Sequence, residues 1–481
     1  MNIHHLRNTI CLLWLISGAF FSMKSMAASL VDTISAKLVA YNFLRSKIPD
    51  RLTDVDKLIL TPSSNQNMYV FNAVGGGFVI LSAYEGVPPV LGYSTEGYFD
   101  ENSLPGNAND WFHGYDSTLA KAKELELKNE NAENHWKQLK NGSTRGVKSA
   151  DIIVNPLVSA TWNQSKEYSY YCPSNSELGT AMSGCVPVAM AEIMHYWKYP
   201  AKGLKSVSYT DKNYGYLSLD LKKVDFDYSQ MPVKLDGNST DAEIKSVAML
   251  IYACAVSINA EFGPSKIGTG GYLVSTNDNP NASAEYAFVN YFGYNRNIKR
   301  TARKEATATN WDQLMKNELD NGRPMIMGGA DAELSGGHAF VVDGYDSDGY
   351  FHINWGWNGN LNGYFLTDSL IPYEKYDFCY NQILLYGIKP PQGYQTADEL
   401  LETEDLYIVS SVNGSINVST PDAETPFSGS LYSLTGAKMR VAVSERGKMK
   451  MDTSELPSGT YLLHLQKQGI VVRRKVVVGN W

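Results

Sequence analysis

The sequence predicts an α+β protein with a two-lobed central unit, a smaller α+β module before it and a small β-sandwich after it. Helical apolar spacing dominates the first part of the central unit, and strand-like apolar runs follow from Arg323 onward. After residue 404, short strands alternate with turns at a spacing typical of a sandwich. Helices first and an antiparallel sheet afterwards favour two lobes with a cleft between them.

Residues 1–27 have the features of a secretory signal. A weakly basic start precedes an apolar core from Ile10 to Phe21, and Ser25-Met26-Ala27 provides a small-residue cleavage site. The apolar core is too short for a bilayer, with a single N-terminal anchor as the alternative. We therefore expect a secreted or cell-surface protein without a stable membrane span. The net charge of −8 provides no basic surface for nucleic acid.

Residues 28–147 form the predicted N-terminal module. Val31–Leu44 has helical spacing, and Asn67–Asn72 and Phe78–Ser82 are predicted strands on either side of a glycine turn. The stretch from Leu119 to Lys148 is rich in Lys, Asn and Glu, which predicts a solvated helix or linker without a core. An accessory binding domain that stays attached to the chain is the alternative interpretation of this module.

Residues 148–391 form the predicted central unit. A helix is expected at Asp241–Ala260, because Thr240 and Glu243 have the spacing of a capping box. A second helix is expected at Asn310–Asn321. A polar linker at 392–407 and short alternating strands at 408–481 follow, and the strands predict the β-sandwich.

One cysteine near the start of the central unit is suited to nucleophilic chemistry. Pro187 lacks an N–H group and has its φ preset, which places a helix start close to Cys185, and Pro200 ends the helix. Unpaired N–H groups and the helix dipole favour an anion there, lower a thiol pKa and populate the thiolate. A small buried core residue is the alternative interpretation of Cys185.

A second stretch favours the nucleophile. Gly336 and Gly337 leave room beside His338, and the apolar run that follows predicts a buried strand. A hairpin comes next, with its turn at Asp346–Gly349 and its second strand at Tyr350–Trp355. His338 on the first strand and Asn354 on the second can therefore lie side by side.

Three motifs surround these residues, namely Gly-Cys-Val at 184–186, Gly-Gly-His-Ala-Phe at 336–340 and Asn-Trp-Gly-Trp at 354–357. Together they resemble the streptopain family of papain-like cysteine peptidases. Trp162-Asn163-Gln164 is similar to the oxyanion-hole segment of that family, and residues 28–147 are similar to its inhibitory propeptide. Separately, the strand and turn pattern of residues 408–481 resembles the C-terminal sorting domains of type IX secretion. The resemblance implies a papain-like catalytic domain at 148–391.

The resemblance also implies a role for each candidate residue. Cys185 attacks the peptide carbonyl and forms an acyl-enzyme, with His338 as general base and acid. Gln164 and the backbone N–H of Cys185 would stabilise the oxyanion. Asn354 would orient the His338 imidazole, and Trp355 would shield that contact from water. Asp343 and Asp346 compete with Asn354 for the orienting role and rank lower.

We therefore expect a secreted cysteine endopeptidase that is made as an inactive zymogen and exported through the periplasm of a Gram-negative bacterium. Its expected partners are protein or peptide substrates, its own propeptide as an intramolecular inhibitor, and secretion machinery that reads the C-terminal domain. No cofactor and no metal is expected, because no His, Cys, Asp or Glu cluster has ligand spacing. The Asp346–Gly349 turn could attract calcium but lacks a later acidic ligand.

Two other functions stay open from the sequence. The chain could be a peptidoglycan amidohydrolase with the same cysteine and histidine chemistry, or a catalytically vestigial surface-binding protein. Two further histidines, His195 and His352, are expected to pack rather than to catalyse. After signal removal the cysteines are expected to be free thiols. These are Cys172, Cys185, Cys254 and Cys379.

Overall fold

The computed structural model describes residues 30–142, 152–330, 337–367, 382–391, 394 and 407–479, apart from short gaps at 64, 105, 265, 413, 421–425, 434–436 and 468–469. The predicted signal segment, Cys379 and most of the predicted linker lie outside the described residues. Within them, no helix combines the length and the apolar character that crossing a membrane requires.

The described part of the N-terminal segment contains three α-helices and four strands. The helices are α1 (Thr33–Lys47), α2 (Gly106–Glu124) and α3 (Glu130–Lys140). The strands are β1 (Leu58–Thr61), β2 (Met68–Ala73), β3 (Phe78–Ser82) and β4 (Val90–Ser94). The Asp32 carboxylate caps α1 by accepting hydrogen bonds from the N–H groups of Ile34 and Ser35, both 2.9 Å long. The predicted helix and both predicted strands of this segment are confirmed.

The end of the segment differs from the prediction, because it has a core. Helix α3 buries Ala132, Trp136 and Leu139, and the last two pack in one cluster with α1. The Trp136 indole N–H donates a hydrogen bond to the Val87 carbonyl (3.0 Å). The prediction of a coreless linker was wrong because three buried side chains at helical spacing are sufficient when another element covers them, even in a polar sequence.

The central segment begins with short strands and the cysteine helix. Its helices are α4 (Cys185–Trp197), α5 (Asp241–Ser257), α6 (Ala284–Asn290) and α7 (Ala308–Asp320). Its strands are β5 (Ile152–Val154), β6 (Ser174–Asn175), β7 (Gly179–Thr180), β8 (Ser206–Asp211), β9 (Gly215–Asp220), β10 (Lys299–Ala302), β11 (Met325–Ala330), β12 (Gly337–Asp346), β13 (Phe351–Asn354), β14 (Gly363–Phe365) and β15 (Ile383–Tyr386). The predicted capping box of α5 is present, with Glu243 accepting from the Thr240 N–H at 2.7 Å.

One antiparallel sheet joins the N-terminal and central segments. Its strand order is β1-β2-β3-β4-β14-β13-β12-β11-β15-β10, and β5 pairs with β12. The junction lies between β4 and β14, where Tyr93 pairs with Tyr364 and Gly92 pairs with Phe365. Gly92 is required there, because a Cβ atom at this position would overlap the Phe365 ring. The N-terminal segment is thus attached to the central sheet edge to edge.

The two faces of β12 contribute to different cores. Ala339 and Val341 pack with α4 and α5, whereas Phe340 and Val342 pack with α2 and α7. Successive residues of a strand point to opposite faces, so this one strand connects both layers. A helical layer on the sheet confirms the predicted α+β class and places the N-terminus of α4 beside the start of β12.

The C-terminal segment is a β-sandwich, as predicted. Its strands are β16 (Ile408–Val412), β17 (Ser415–Ser419), β18 (Ser428–Ser433), β19 (Lys438–Val443), β20 (Lys448–Asp452), β21 (Gly459–Lys467) and β22 (Ile470–Val478). They form two sheets, ordered β16-β17-β20 and β19-β18-β21-β22, with a shared core. Tyr407, the last residue of the predicted linker, belongs to that core and packs on Phe427 with ring centroids 4.9 Å apart.

Candidate active site

Cys185 is the first residue of α4, as the sequence predicted, and a glycine shapes the turn that leads into it. Gly184 has a φ of +93° and is the N-cap residue of the helix. A Cβ atom on Gly184 would lie 3.1 Å from both the Cγ2 atom and the backbone oxygen of Thr269. Glycine alone combines this φ with such a close approach. The chain therefore turns sharply into α4 and leaves Cys185 partly exposed.

His338 lies at the start of β12, paired with Gly329 of β11, and its side chain lies beside the Cys185 thiol and lowers the thiol pKa. Burial alone would raise the thiol pKa, and it is the largest single effect on this group. The His338 hydrogen bond and charge, together with the backbone N–H groups of Ala339 and Val186, outweigh burial and lower the pKa of Cys185 below its usual value. The arrangement favours a thiolate paired with an imidazolium.

Asn354 ends β13 and is paired with Val341, so it lies beside the strand that carries His338. Its side-chain amide N–H donates to the Ala160 carbonyl (2.7 Å), and its side-chain oxygen accepts from the Gly356 N–H (3.2 Å). Both ends of the buried Asn354 amide thus bond to the backbone around the site. The proposed bond to the His338 imidazole stays a prediction.

Trp355 is completely buried behind the site. Its ring packs on Phe340 (centroids 4.9 Å apart) and on Trp111 of α2 (5.7 Å), while its indole N–H donates to the Leu361 carbonyl (3.1 Å). An aromatic cluster therefore covers the strand end that carries Asn354, and the N-terminal segment supplies part of that cluster.

Gln164 is buried and is held close to the N-terminus of α4 by its backbone. Its carbonyl accepts hydrogen bonds from the N–H group (2.9 Å) and the hydroxyl (3.1 Å) of Ser183. Ser183 lies two residues before Cys185, so hydrogen bonds join the segment of the predicted oxyanion donor directly to the segment of the predicted nucleophile. Thr269 lies close to Gly184.

The competing acids have other partners. Asp343 accepts from the Val158 N–H (2.9 Å) and contacts the His352 ring nitrogen Nδ1 at 2.6 Å, so His352 packs as predicted. Asp346 accepts from the Tyr93 hydroxyl (2.7 Å) and pairs with Lys47, 3.3 Å away. A lysine ammonium from the N-terminal segment thus stands at the turn that could have attracted calcium.

The remaining histidine and cysteine predictions agree with the structure where it describes them. His195 is buried, its ring Nε2 atom forms a hydrogen bond with the Met231 carbonyl (3.0 Å), and burial together with Lys198 lowers its pKa to about 4. Cys172 and Cys254 are free and buried. Among the described residues, no group of three or more His, Cys, Asp and Glu side chains is arranged around a common metal position.

Sequence reasoning missed one residue next to the site. Glu192 lies on α4, two helical turns after Cys185, and is fully buried. Its Oε1 atom accepts from the backbone N–H of Trp162 (2.9 Å). The signal was a single acid in an otherwise apolar helix face, which predicts either a surface position or a specific polar partner.

Cys185 has a lowered pKa, begins a helix and lies beside His338 at the start of β12. This arrangement defines the class: the protein is a cysteine peptidase. Comparison with known families makes this specific. Residues 162–365 match the Peptidase C10 family, residues 28–119 match the Spi protease inhibitor family and residues 412–479 match the secretion system C-terminal sorting domain. The central segment of this chain is therefore similar to the Peptidase C10 family, which includes streptopain, and an inhibitor-type propeptide and a secretion tail flank it.

Individual relatives of the chain are cysteine proteases as well. Streptopain of Streptococcus pyogenes is 29% identical over 331 residues, covering 64% of this chain and 76% of the relative. The thiol protease/hemagglutinin PrtT of Porphyromonas gingivalis is 28% identical over 313 residues, 63% of this chain and 34% of PrtT. The structure of a prointerpain A fragment of Prevotella intermedia superimposes with a TM-score of 0.57 and 27% identity, covering 69% of this chain and 99% of the fragment.

These comparisons confirm the family resemblance, the fold class and the expectation of a thiol protease made as a zymogen. They do not favour the peptidoglycan amidohydrolase or the vestigial surface-binding protein. The C-terminal sorting domain confirms that the protein is secreted or displayed at the cell surface.

Proposed function

We propose that the protein is a papain-like endopeptidase of the streptopain type, with Cys185 as nucleophile and His338 as general base and acid. The observation that carries this assignment is the position of His338 beside the Cys185 thiol at the N-terminus of α4, where it lowers the thiol pKa. A buried structural cysteine would have a raised pKa, as Cys172 and Cys254 have.

The reaction follows from this pair. His338 takes the thiol proton, and the Cys185 sulfur attacks the peptide carbonyl carbon to form a C–S bond. His338 then gives the proton to the leaving amine as the C–N bond breaks, which leaves a thioester. Water, deprotonated by His338, attacks the thioester and releases the carboxylic acid together with the free thiol.

Gln164 and the backbone N–H of Cys185 are the proposed donors to the oxyanion. The hydrogen bonds between the Gln164 carbonyl and Ser183 support this role, because they hold Gln164 next to the nucleophile. One such donor contributes about 3–4 kcal/mol to transition-state stabilisation. Asn354 is the proposed orienter of His338, and the proposed role of Trp355 is to keep water from that contact.

The proposed division of the chain is a signal at 1–27, an inhibitory propeptide at 28–147, a catalytic domain at 148–391, a linker at 392–407 and a sorting domain at 408–481. Protein or peptide substrates are the proposed reactants. The machinery of type IX secretion is the proposed partner of the sorting domain, and the match of residues 412–479 to the secretion-tail family supports this pairing.

The deciding experiment replaces the nucleophile. Cys185→Ala should abolish the release of peptides from casein, whereas Cys172→Ala, a buried cysteine without a histidine contact, should keep it. Purified cell wall should not be a substrate of either protein. Casein hydrolysis by Cys185→Ala would contradict the assignment, and cell-wall hydrolysis by the unmodified enzyme would restore the amidohydrolase.

A further inference from the structure

Glu192 is an acid in a place where acids are rare. It lies within α4 among fully buried apolar residues, and its own side chain is completely buried. Oε1 accepts from the Trp162 N–H at 2.9 Å, but Oε2 has no hydrogen bond of ordinary geometry. A buried carboxyl oxygen without a full partner is costly, so its presence in the helix of the nucleophile requires a reason.

The surroundings of Glu192 connect three parts of the active site. Trp162 lies two residues before Gln164, and the Asn354 amide lies close enough to stabilise the carboxylate form of Glu192. Asn354 in turn donates to the Ala160 carbonyl (2.7 Å). The backbone from Ala160 to Gln164 is therefore fixed from α4 and from β13 at once.

We propose that Glu192 is a positioning residue of the reaction: its carboxyl group ties the helix of Cys185 to the segment of Gln164, and so sets the distance between nucleophile and oxyanion donor. The proposal rests on the function proposed above. It assigns Glu192 no contact with substrate and no proton transfer.

The charge state of the side chain supports this role. Burial raises the pKa of Glu192 well above its usual range, the Trp162 N–H opposes that shift, and the neighbouring Asp343 carboxylate adds to it. A neutral carboxylic acid keeps an acceptor for the Trp162 N–H. It therefore joins α4 to the Trp162 segment without a buried negative charge.

The hydrogen bond between Glu192 and Trp162 matters because the Gln164 side chain has to lie close to the oxyanion that forms in the transition state. A displacement of about 1 Å at a reacting centre can cost about a hundredfold in rate. Gln164 has its own bond to Ser183, and on its other side the Trp162 N–H bonds to Glu192 while the Trp162 indole N–H donates to the Pro232 carbonyl (2.9 Å). Loss of Glu192 should therefore reduce turnover while the nucleophile itself stays reactive.

The test compares three substitutions in the full chain, each matured by a trace of tagged wild-type enzyme that is then removed. Glu192→Gln keeps the size and the acceptor, Glu192→Leu removes the acceptor, and Glu192→Asp keeps the acid but shortens it. We expect kcat to fall no more than about threefold in Glu192→Gln and at least about tenfold in Glu192→Leu and Glu192→Asp, with KM within about twofold of wild type. Ile193→Val, a packing change at the next residue, is the control.

Alkylation of Cys185 by iodoacetamide, measured on the same samples, separates this proposal from the proposed function. Normal alkylation with reduced kcat in Glu192→Asp supports positioning. A kcat close to wild type in both Glu192→Asp and Glu192→Leu would overturn it, as would an equal loss in Ile193→Val. If Glu192→Leu does not fold, the kcat of Glu192→Asp is compared with that of Glu192→Gln, and equal values would contradict the proposal. Absence of alkylation at Cys185 in the wild-type enzyme would instead contradict the proposed function.

Discussion

At the residue scale, burial and one neighbouring imidazole act in opposite directions on the Cys185 thiol. Burial raises its pKa, and contact with His338 and two backbone N–H groups lowers it by more. Cys172 and Cys254 are buried without a histidine contact; burial raises the pKa of Cys172 to about 12 and that of Cys254 well above its usual value. The three described cysteines should therefore differ sharply in reactivity.

Labelling at mildly acidic pH should reveal this difference. Ordinary thiols have a pKa of about 8.5 and react slowly at pH values of about 6, so iodoacetamide should label Cys185 almost alone. Since the Cys185 pKa is lowered, labelling should persist below the ordinary thiol range and stop once the pH falls below that pKa. His338→Ala leaves only the two backbone N–H groups to oppose burial and should move labelling to higher pH. Mass spectrometry of the labelled peptides measures both effects, and unchanged labelling in His338→Ala would contradict the pairing.

Asn354 and His338 should contribute unequally to turnover. Asn354→Ala removes an orienting group and two backbone contacts, whereas His338→Ala removes the proton carrier, so His338→Ala should cost more in kcat. Steady-state kinetics on folded samples measures the two losses. Equal losses would show that Asn354 has a different role from the one proposed.

At the element scale, the entry into α4 depends on Gly184. Its φ of +93° and its approach to Thr269 each disfavour a side chain. Gly184→Ala should lower the free energy of unfolding by about 1–3 kcal/mol and also reduce kcat, because relief of the strain moves Cys185.

The matched control is Gly179→Ala. Gly179 has a φ of +72°, but a Cβ atom added to it would meet no other atom within 4 Å, so the substitution adds backbone strain without a clash. It should lower stability and leave kcat unchanged. Denaturant unfolding and casein hydrolysis measure both variants, and equal effects on kcat would mean that the contact with Thr269 is unimportant.

At the scale of the whole molecule, a buried charge pair joins the propeptide to the catalytic sheet. Lys47 Nζ lies 3.3 Å from Asp346 and 3.6 Å from Asp348, and the side chains of Lys47 and Asp346 are 4% and 0% exposed. Removing one member of such a pair leaves an unpaired buried charge and costs about 3–5 kcal/mol. The cost falls on the zymogen, since Lys47 belongs to the propeptide and the pair exists only while the propeptide is bound.

Lys47→Met should therefore weaken the attachment of the propeptide that keeps the zymogen inactive. We expect faster conversion of the full chain to the mature enzyme, followed by gel electrophoresis over time. Lys37→Met is the control, because Lys37 pairs with the exposed Asp56 at 3.7 Å within the propeptide and such surface pairs contribute about 0–1 kcal/mol. Equal maturation rates for the two variants would show that the buried pair does not hold the propeptide.

The C-terminal sandwich has its own core and should be dispensable for hydrolysis. Because Tyr407 packs in that core, the deletion should start at 407 rather than at 408. Removing 407–481 should leave casein hydrolysis by the purified protein intact and trap the protein inside the native cell. Cell fractionation measures the location, and normal export of the truncated protein would contradict a sorting role.

The sequence by itself determined the local features of the site. The start of α4 at Cys185, the capping box of Thr240 and Glu243, and the turn at Asp346–Gly349 were all predicted, and the structure has them. Proline geometry, capping and turn chemistry act over a few neighbouring residues, so a short stretch of sequence is enough to specify them.

Tertiary structure alone decided how the segments meet. The β4–β14 junction is made by backbone hydrogen bonds, which carry no side-chain signature, and Lys47 and Asp346 are 299 positions apart. Trp136 lies in a polar stretch and is buried because α1 covers it. Glu192 has no distinguishing sequence feature, and its role depends on contacts with Trp162 and Asn354 that only the folded chain provides. Burial and pairing depend on contacts between distant residues, and local sequence patterns do not contain that information.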